Sequence, residues 1–456
     1  MATPAAPEGQ RADDHAGPRA EDGRGGLRAT LGGLTTRGRS FLAAGAAAAV
    51  CAYVLGQADL LRVGLLLASL PLICAVVLHR TRYRVATSRL LTPQRVEAGT
   101  EARVQLRMEN VSKLPTGLLM LQDHVPYMLG PRPRFVLDRV EAGGRREVSY
   151  RVRSDLRGRF PLGPLQLRLS DPFGMCELTR SFHAYDTLTV VPRTTALPPV
   201  RLGGEASGYG EGRQRTLALA GDDDVIPRAY RVGDDLRRVH WRSTARYGEL
   251  MVRREEQPQR SHCTVLLDTR RVGYQGSGPD SAFEWAVSGA ASVLTHMLER
   301  GYAVRLLTDT GTAVPGEGSD GYAGTDSVET AGLLMDTLAI VDHSDGAGLS
   351  RASDVLRAGS EGLLVAFLGD LDEEQAALAG RMRGRAGAAV AFVLDSGTWL
   401  TGGAVAGAVD ARARELREAG WTVVPVRPGA RLADLWQQAA GALRDTAAAD
   451  SYGGWA

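Results

Sequence analysis

Two stretches near the start of the chain carry no charge. Phe41–Leu55 reads FLAAGAAAAVCAYVL and Val63–Leu78 reads VGLLLASLPLICAVVL, with a short polar break holding Asp59 and Arg62 between them. A helix that crosses a bilayer needs about 20 apolar residues at ~1.5 Å rise. Each run, extended by its flanks, predicts a membrane-spanning helix, the pair at about 41–57 and 61–79, and their closeness predicts a helical hairpin. A signal peptide is the competing reading of the first run; the long polar stretch before it and the second apolar run just after it argue against cleavage. Pro71 inside the second run predicts a kink. Residues 1–40, rich in Gly, Ala, Arg and acidic side chains without apolar periodicity, read as a disordered tail, as do 447–456.

After Pro93 the pattern becomes strict alternation, in Arg103–Met108, Val148–Val152, Leu165–Leu169 and Leu188–Val190. Period two with polar alternates means half-buried strands, and Glu141–Gly144, Arg157–Arg159 and Asp171–Gly174 supply turns between them. Short strands at this spacing over 90–195 predict a β-sandwich of immunoglobulin-like type, with a barrel as the alternative. From Cys263 the pattern changes again. Short apolar runs at Cys263–Leu267, Ala303–Leu307, Leu363–Leu368, Val390–Leu394 and Val423–Val426 alternate with helical stretches at Phe283–Glu299, Val328–Ile340, Glu373–Met382, Ala411–Ala419 and Leu432–Leu443. Five strands alternating with helices predict an α/β domain over 261–446, its mostly parallel sheet covered on both faces.

Composition adjusts this picture in three places. A chain of 456 residues exceeds one ordinary core, in keeping with several domains, and a formal net charge of +2 demands no nucleic-acid partner. Lys113 is the only lysine, so no glycine-rich loop offers a lysine to a nucleotide's phosphates, and a Schiff-base cofactor would depend on that one residue. No cofactor is expected. Cys51, Cys74, Cys176 and Cys263 form no CxxC pair, which fits a reducing compartment without structural disulfides or zinc. The arginines set an orientation. Arg28, Arg37 and Arg39 precede the first helix and Arg80, Arg82, Arg84 and Arg89 follow the second, whereas the connecting break has only Arg62, so both termini and the soluble domains are expected in the cytoplasm.

Two groups of residues are candidates for chemistry. Asp268, Asp309, Asp370 and Asp395 fall just beyond strand ends, the edge at which open α/β sheets bind ligands, although aspartates there also cap helices and turns. Between the domains, within 196–260, runs Gly233-Asp234-Asp235-Leu236-Arg237-Arg238-Val239-His240-Trp241-Arg242-Ser243-Thr244-Ala245-Arg246. Asp234 or Asp235 could cap a helix with Leu236, Val239 and Ser243 on one face, and Leu250 and Val252 suggest a strand after it.

That segment resembles the signature of the family catalogued as domain of unknown function 58, GDD-x-R-x-I-x-W-R-x-S-A-R followed by a short strand. Arg157-Gly158-Arg159 and Asp171-Pro172-Phe173-Gly174 match two further motifs in the family's order. The resemblance covers the chain from about Leu31 and implies a membrane hairpin, a β-domain and a C-terminal domain like von Willebrand factor type A. It implies no agreed activity. It does imply partnership with a MoxR-type AAA+ ATPase, with transglutaminase-like membrane proteins in the same system. Type A domains of the metal-binding kind present Asp-x-Ser-x-Ser after their first strand, but this chain has Asp268-Thr269-Arg270-Arg271-Val272. Arg270 and Val272 stand at the two serine positions, so even with Asp370 at the later aspartate position metal binding is not expected, and Arg270 is expected to pair with a strand-end aspartate.

Three readings of Asp234, Asp235, Arg237, His240, Trp241, Arg242, Ser243 and Arg246 stay open: a buried ion-pair network between domains with Trp241 as its wedge, a docking face, or a ligand or catalytic site. The leading expectation is a non-enzymatic, membrane-anchored adaptor or assembly protein. The alternative is a hydrolase or anion-binding protein using His240 and the strand-end aspartates.

Overall fold

The computed structural model describes residues 33–81, 85–113, 115–116, 118–171, 173–200, 227–230, 239, 241–253, 262–315, 327–357, 361–400 and 408–452. The chain forms two compact units, Met1–Val190 and Val191–Ala456.

The first unit opens with α1 (Thr36–Leu55) and α2 (Ala58–Thr81), both long and apolar enough to cross a membrane. Helix α1 begins before the uncharged run, so Thr36–Ser40, expected in the tail, are helical. The cause is a cap: Thr35 accepts from Gly38 N at 3.3 Å. Gly56, in the left-handed conformation at φ 64°, ends the helix. The helices cross where Gly45 meets Gly64. A Cβ on Gly45 would lie 2.8 Å from the Gly64 carbonyl oxygen and 2.8 Å from Ala68 N, so the backbones touch as small residues allow. Helix α2 continues through Pro71.

The β-rich body of this unit contains β1 (Val85–Thr92), β2 (Arg95–Glu97), β3 (Glu101–Asn110), β4 (Leu119–Asp123), β5 (Arg134–Leu137), β6 (Arg145–Arg153), β7 (Gly158–Leu162), β8 (Leu165–Ser170), β9 (Glu177–Phe182) and β10 (Asp186–Val191). They form sheets of order β1-β3-β6, β2-β10-β7 and β5-β4-β8-β9, a β-sandwich arrangement. The alternation read in Arg103–Met108 is the physical one. Ala102, Val104, Leu106 and Met108 are buried, while the outward positions of β3 pair with β6 through ion pairs such as Arg107–Glu147 and Arg151–Glu101. Arg89 turns inward. Its guanidinium bridges Asp123, at 2.6 Å and 3.1 Å, and Asp186, at 3.1 Å, and Tyr150 donates its hydroxyl to Asp123 at 2.6 Å. Burial and the Asp123 charge push the Tyr150 phenol well above its ordinary pKa.

The second unit contains β11 (Pro227–Ala229), α3 (Trp241–Tyr247), β12 (Met251–Arg253), β13 (His262–Leu267), α4 (Ala282–Glu299), β14 (Ala303–Thr308), β15 (Ala313–Val314), α5 (Ser327–Ile340), α6 (Ser350–Arg357), β16 (Glu361–Leu368), α7 (Glu373–Met382), β17 (Ala386–Leu394), α8 (Ala408–Glu418), β18 (Thr422–Val426) and α9 (Leu432–Tyr452). The main sheet runs β15-β14-β13-β16-β17-β18, parallel except for the edge strand β15. Each predicted strand is present. Alternate residues of β13 explain the mainly apolar run: Val265 and Leu267 join a core with α4, α5 and α9, and Leu266 joins another with α6, α7 and α8. Helix α9 extends past 446, so the first residues of the expected C-terminal tail are helical to Tyr452.

His296 on α4 is buried edge-on against Trp436 of α9, ring centroids 5.9 Å apart, and its Nε2 has no hydrogen-bond partner among the described residues. Burial, then the nearby Arg300 charge, lower its pKa from 6.5. The unfolded chain therefore binds a proton that the native state resists, so this contribution to stability is full above about pH 6.5 and is lost on acidification below it. His296→Phe is expected to flatten the fall in Tm between about pH 7 and 5; an unchanged slope in thermal unfolding would show that other groups cause it.

Candidate functional site

The chain leaves β13 for β14 on one side and later enters β16 on the other, so the carboxyl ends of β13 and β16 flank the switch point where open α/β sheets form a crevice. Asp268 follows β13 there, completely buried. Its Oδ1 accepts from Arg270 N at 3.0 Å and Nε at 2.9 Å, and its Oδ2 from Arg270 Nη2 at 2.8 Å and Gly369 N at 3.1 Å. The same Nη2 reaches the Asp370 carbonyl oxygen at 3.3 Å. Complete burial raises the Asp268 pKa, against which the Arg270 guanidinium and the two backbone N–H groups favour the carboxylate. Arg270, itself 2% exposed, thus places a fixed positive charge on the carboxylate that a cation would need.

Two neighbouring loops are tied to the same edge. Asp309, after β14, accepts from Thr269 N at 2.8 Å, from the Thr269 hydroxyl and from Ser344 Oγ at 2.6 Å. Ser344 N in turn donates to Thr269 O at 2.7 Å, and Arg271 N to Ser344 O at 3.0 Å. Asp370, after β16, accepts from Ser396 Oγ at 2.5 Å, and its own N–H donates to Gly273 O at 2.8 Å. Tyr274 donates to the Asp268 carbonyl at 2.9 Å, and burial beside the Asp268 charge drives its phenol well above the ordinary value. Asp395 is 9% exposed, and burial followed by the Asp370 charge raises its pKa.

Asp268, Asp309 and Asp370 are therefore cross-ties between loops, with hydroxyls, backbone N–H groups or a guanidinium as partners. The helix cap here is Asp372, which accepts from Gln375 N. Val272 is exposed on the turn 271–273 and points no donor at the site. Among the described residues no group of three or more His, Cys, Asp or Glu could hold a metal ion. Thr269, Ser344, Ser396 and Tyr274 complete the site and escaped the sequence reading, because isolated hydroxyls in loops carry no periodicity.

The central motif is described only in part. Asp234, Asp235, Arg237 and His240 lie outside the described residues. Helix α3 starts at Trp241, so Val239, expected on the helix, precedes it and is buried. Two apolar positions and a serine do not separate a helical face from a segment that buries one side chain. Trp241 is 72% exposed and belongs to none of the hydrophobic cores, and Arg242 and Arg246 are exposed beside it. Thr244 accepts from Met251 N at 3.0 Å, and β12 pairs antiparallel with β11.

The model of a family described as "Protein of unknown function DUF58" matches residues 227–382. That segment of the chain is a match to the DUF58 family. Within it the DUF58 segment holds β11, α3, β12 and the sheet as far as α7, hence Trp241, the Asp268–Arg270 pair, Asp309, Ser344 and Asp370. No curated protein matches the chain. Among solved structures, the CARDB domain of the PF1109 protein from Pyrococcus furiosus, determined with di-metal ions, is similar at 10% identity and a TM-score of 0.18, over 24% of this chain and 87% of that one. Spo0M, a sporulation control protein from Bacillus subtilis, is similar at 12% identity and a TM-score of 0.16, over 24% and 49%. The Pseudomonas fluorescens alkylpurine DNA glycosylase AlkC, bound to DNA, is similar at 15% identity and a TM-score of 0.15, over 28% and 39%. Scores this low say nothing about a shared activity.

Proposed function

We propose that this DUF58 protein is a membrane-anchored, non-enzymatic adaptor or assembly factor that works with a MoxR-type AAA+ ATPase. The helical hairpin is the anchor, and both termini and both soluble bodies lie in the cytoplasm. The β-sandwich is of immunoglobulin type. The α/β unit is of von Willebrand factor A type, a reading supported by the antiparallel edge strand β15 beside β14 and by the chain reversal between β13 and β16. Its metal position is replaced by the Asp268–Arg270 pair, so partner binding at this edge is independent of divalent cations.

The observation that carries the docking role is the exposed Trp241, flanked by Arg242 and Arg246 on α3. Tryptophan and arginine dominate binding hot spots because each buries a large area with directional polar contacts. The cross-tied strand ends supply a rigid body from which such a surface can be presented. The test is affinity purification of the full-length chain in gentle detergent, with mass spectrometry, beside a Trp241→Ala variant whose fold is verified by its circular dichroism. An AAA+ ATPase recovered with the native chain and lost with the variant is the expected result. Equal recovery would remove α3 as the docking face, and no ATPase with either protein would overturn the reading.

A further inference from the structure

The turn that carries Asp171 and Phe173 packs on the helical hairpin, against the polar start of α1 and, on α2, against Pro71 inside the apolar run. Thr35 donates its N–H to the Met175 carbonyl at 2.9 Å and its hydroxyl to the Gly174 carbonyl at 2.7 Å. A Cβ on Gly38 would collide with the Met175 carbonyl oxygen, so α1 lies directly against this turn. On the other helix Cys176 Sγ contacts the Pro71 carbonyl at 3.6 Å, and Cys74 and Ala75 are buried in the same core as Cys176 and Leu169. Asp171 fixes the turn from within by accepting from Cys176 N at 2.6 Å and Phe173 N at 3.2 Å.

The depth of this contact follows from helix geometry. From Ala58 at the hairpin tip to Pro71, α2 rises only ~20 Å, and from Leu55 back to Gly38, α1 rises ~26 Å, both at about 1.5 Å per residue. A bilayer's hydrocarbon is about 30 Å thick, and tilt only shortens the projected reach. The tip carries an exposed Asp59–Arg62 ion pair and so has to reach water or headgroups on the far side. With the tip there, the level of Pro71 falls at or inside the near boundary of the hydrocarbon. A second observation agrees: Leu72, Ile73, Val76 and Val77 stay exposed at and beyond that level, so the helix face turned away from the β-sandwich remains apolar there.

At this level the turn presents Phe173, 59% exposed, with Leu118, also exposed, joined to it through the Ser170 N–H···O=C Leu118 bond. Arg37, exposed, stands beside Gly174 as a cation long enough to meet lipid phosphates. Resting on the membrane-anchor reading above, we propose that the turn at Phe173 and Gly174 is inserted into the near face of the bilayer, with Phe173 among the lipid chains. The β-sandwich would then be seated on the membrane by its own loop as well as tethered through the hairpin. Aromatic rings are favoured at that interface.

The test places a photoreactive side chain in the full-length protein, reconstituted in phosphatidylethanolamine–phosphatidylglycerol vesicles: Phe173→p-benzoylphenylalanine and, separately, Leu118→p-benzoylphenylalanine. Tyr127→p-benzoylphenylalanine is the control, since Tyr127 is exposed beyond the opposite end of β4. Illumination is expected to give lipid adducts, identified by mass, at 173 and 118 and only background at 127. Protein that resists alkaline carbonate extraction yet gives no adduct at 173 or 118 would overturn the insertion while leaving the anchor in place. Protein released by carbonate would overturn the anchor, and the insertion with it.

Discussion

Arg270→Ala is expected to lower the stability of the α/β unit by about 3–5 kcal/mol, the usual cost of removing one partner from a buried ion pair. The variant would leave Asp268, fully buried, with only backbone donors for its charge. Urea unfolding of the full-length protein in detergent, followed by tryptophan fluorescence, reads this unit specifically, because all six tryptophans lie between 241 and 455. The paired change Asp268→Leu with Arg270→Met removes both charges and should be markedly less harmful, since no uncompensated charge remains. A double variant as unstable as the single one would assign the loss to packing and not to the stranded carboxylate. Added magnesium or manganese should leave the stability of the native protein unchanged, as the guanidinium already occupies the Asp268 carboxylate.

The β-sandwich has its own buried pair, and Arg89→Ala is expected to cost it a similar ~3–5 kcal/mol. Asp123 is fully buried and would keep only the Tyr150 hydroxyl, while Asp186 and the Leu162 carbonyl would lose their donor. The measurement is hydrogen exchange, in which the amides of β1, β3 and β6 should lose protection. Unchanged protection there would show that Arg89 is dispensable to the sandwich. Arg89→Lys should not rescue it, because an ammonium cannot reproduce the two parallel bonds to Asp123 made by Nε and Nη2.

Much of the architecture was legible in local pattern. Uncharged runs such as Phe41–Leu55 read directly as helices because a long apolar segment has few other stable states, and the five mainly apolar runs from Cys263 to Val426 read as strands covered on both faces. Their bounds were less legible. Helix α1 starts at Thr36 because Thr35 caps it and the Gly174–Met175 turn takes its polar first turn, and both partners lie far along the chain. Helix α6 was not read at all, although Ala352, Val355 and Leu356 stand at helical spacing, because eight residues are too short for such a pattern to stand out.

The candidate site divides in the same way. Arg270 and Val272 at the serine positions of an Asp-x-Ser-x-Ser pattern were visible as a chemical mismatch, because a cation beside Asp268 cannot also be a metal ligand. That Arg270 folds back on Asp268, that Thr269 and Ser344 close on Asp309, and that Ser396 closes on Asp370 depends on which loops the sheet order β14-β13-β16-β17 brings together. Trp241 read first as a buried wedge and only second as a docking residue, and its exposure emerged only from the folded surroundings of α3. Sequence by itself determined what periodicity and residue chemistry encode within a few turns of chain: helices, strands, their order and the presence of a cationic side chain beside Asp268. The tertiary structure alone decided which side chains meet and how deep each lies, because pairing and burial depend on contacts between segments as much as 145 residues apart, for which the one-dimensional pattern has no signal.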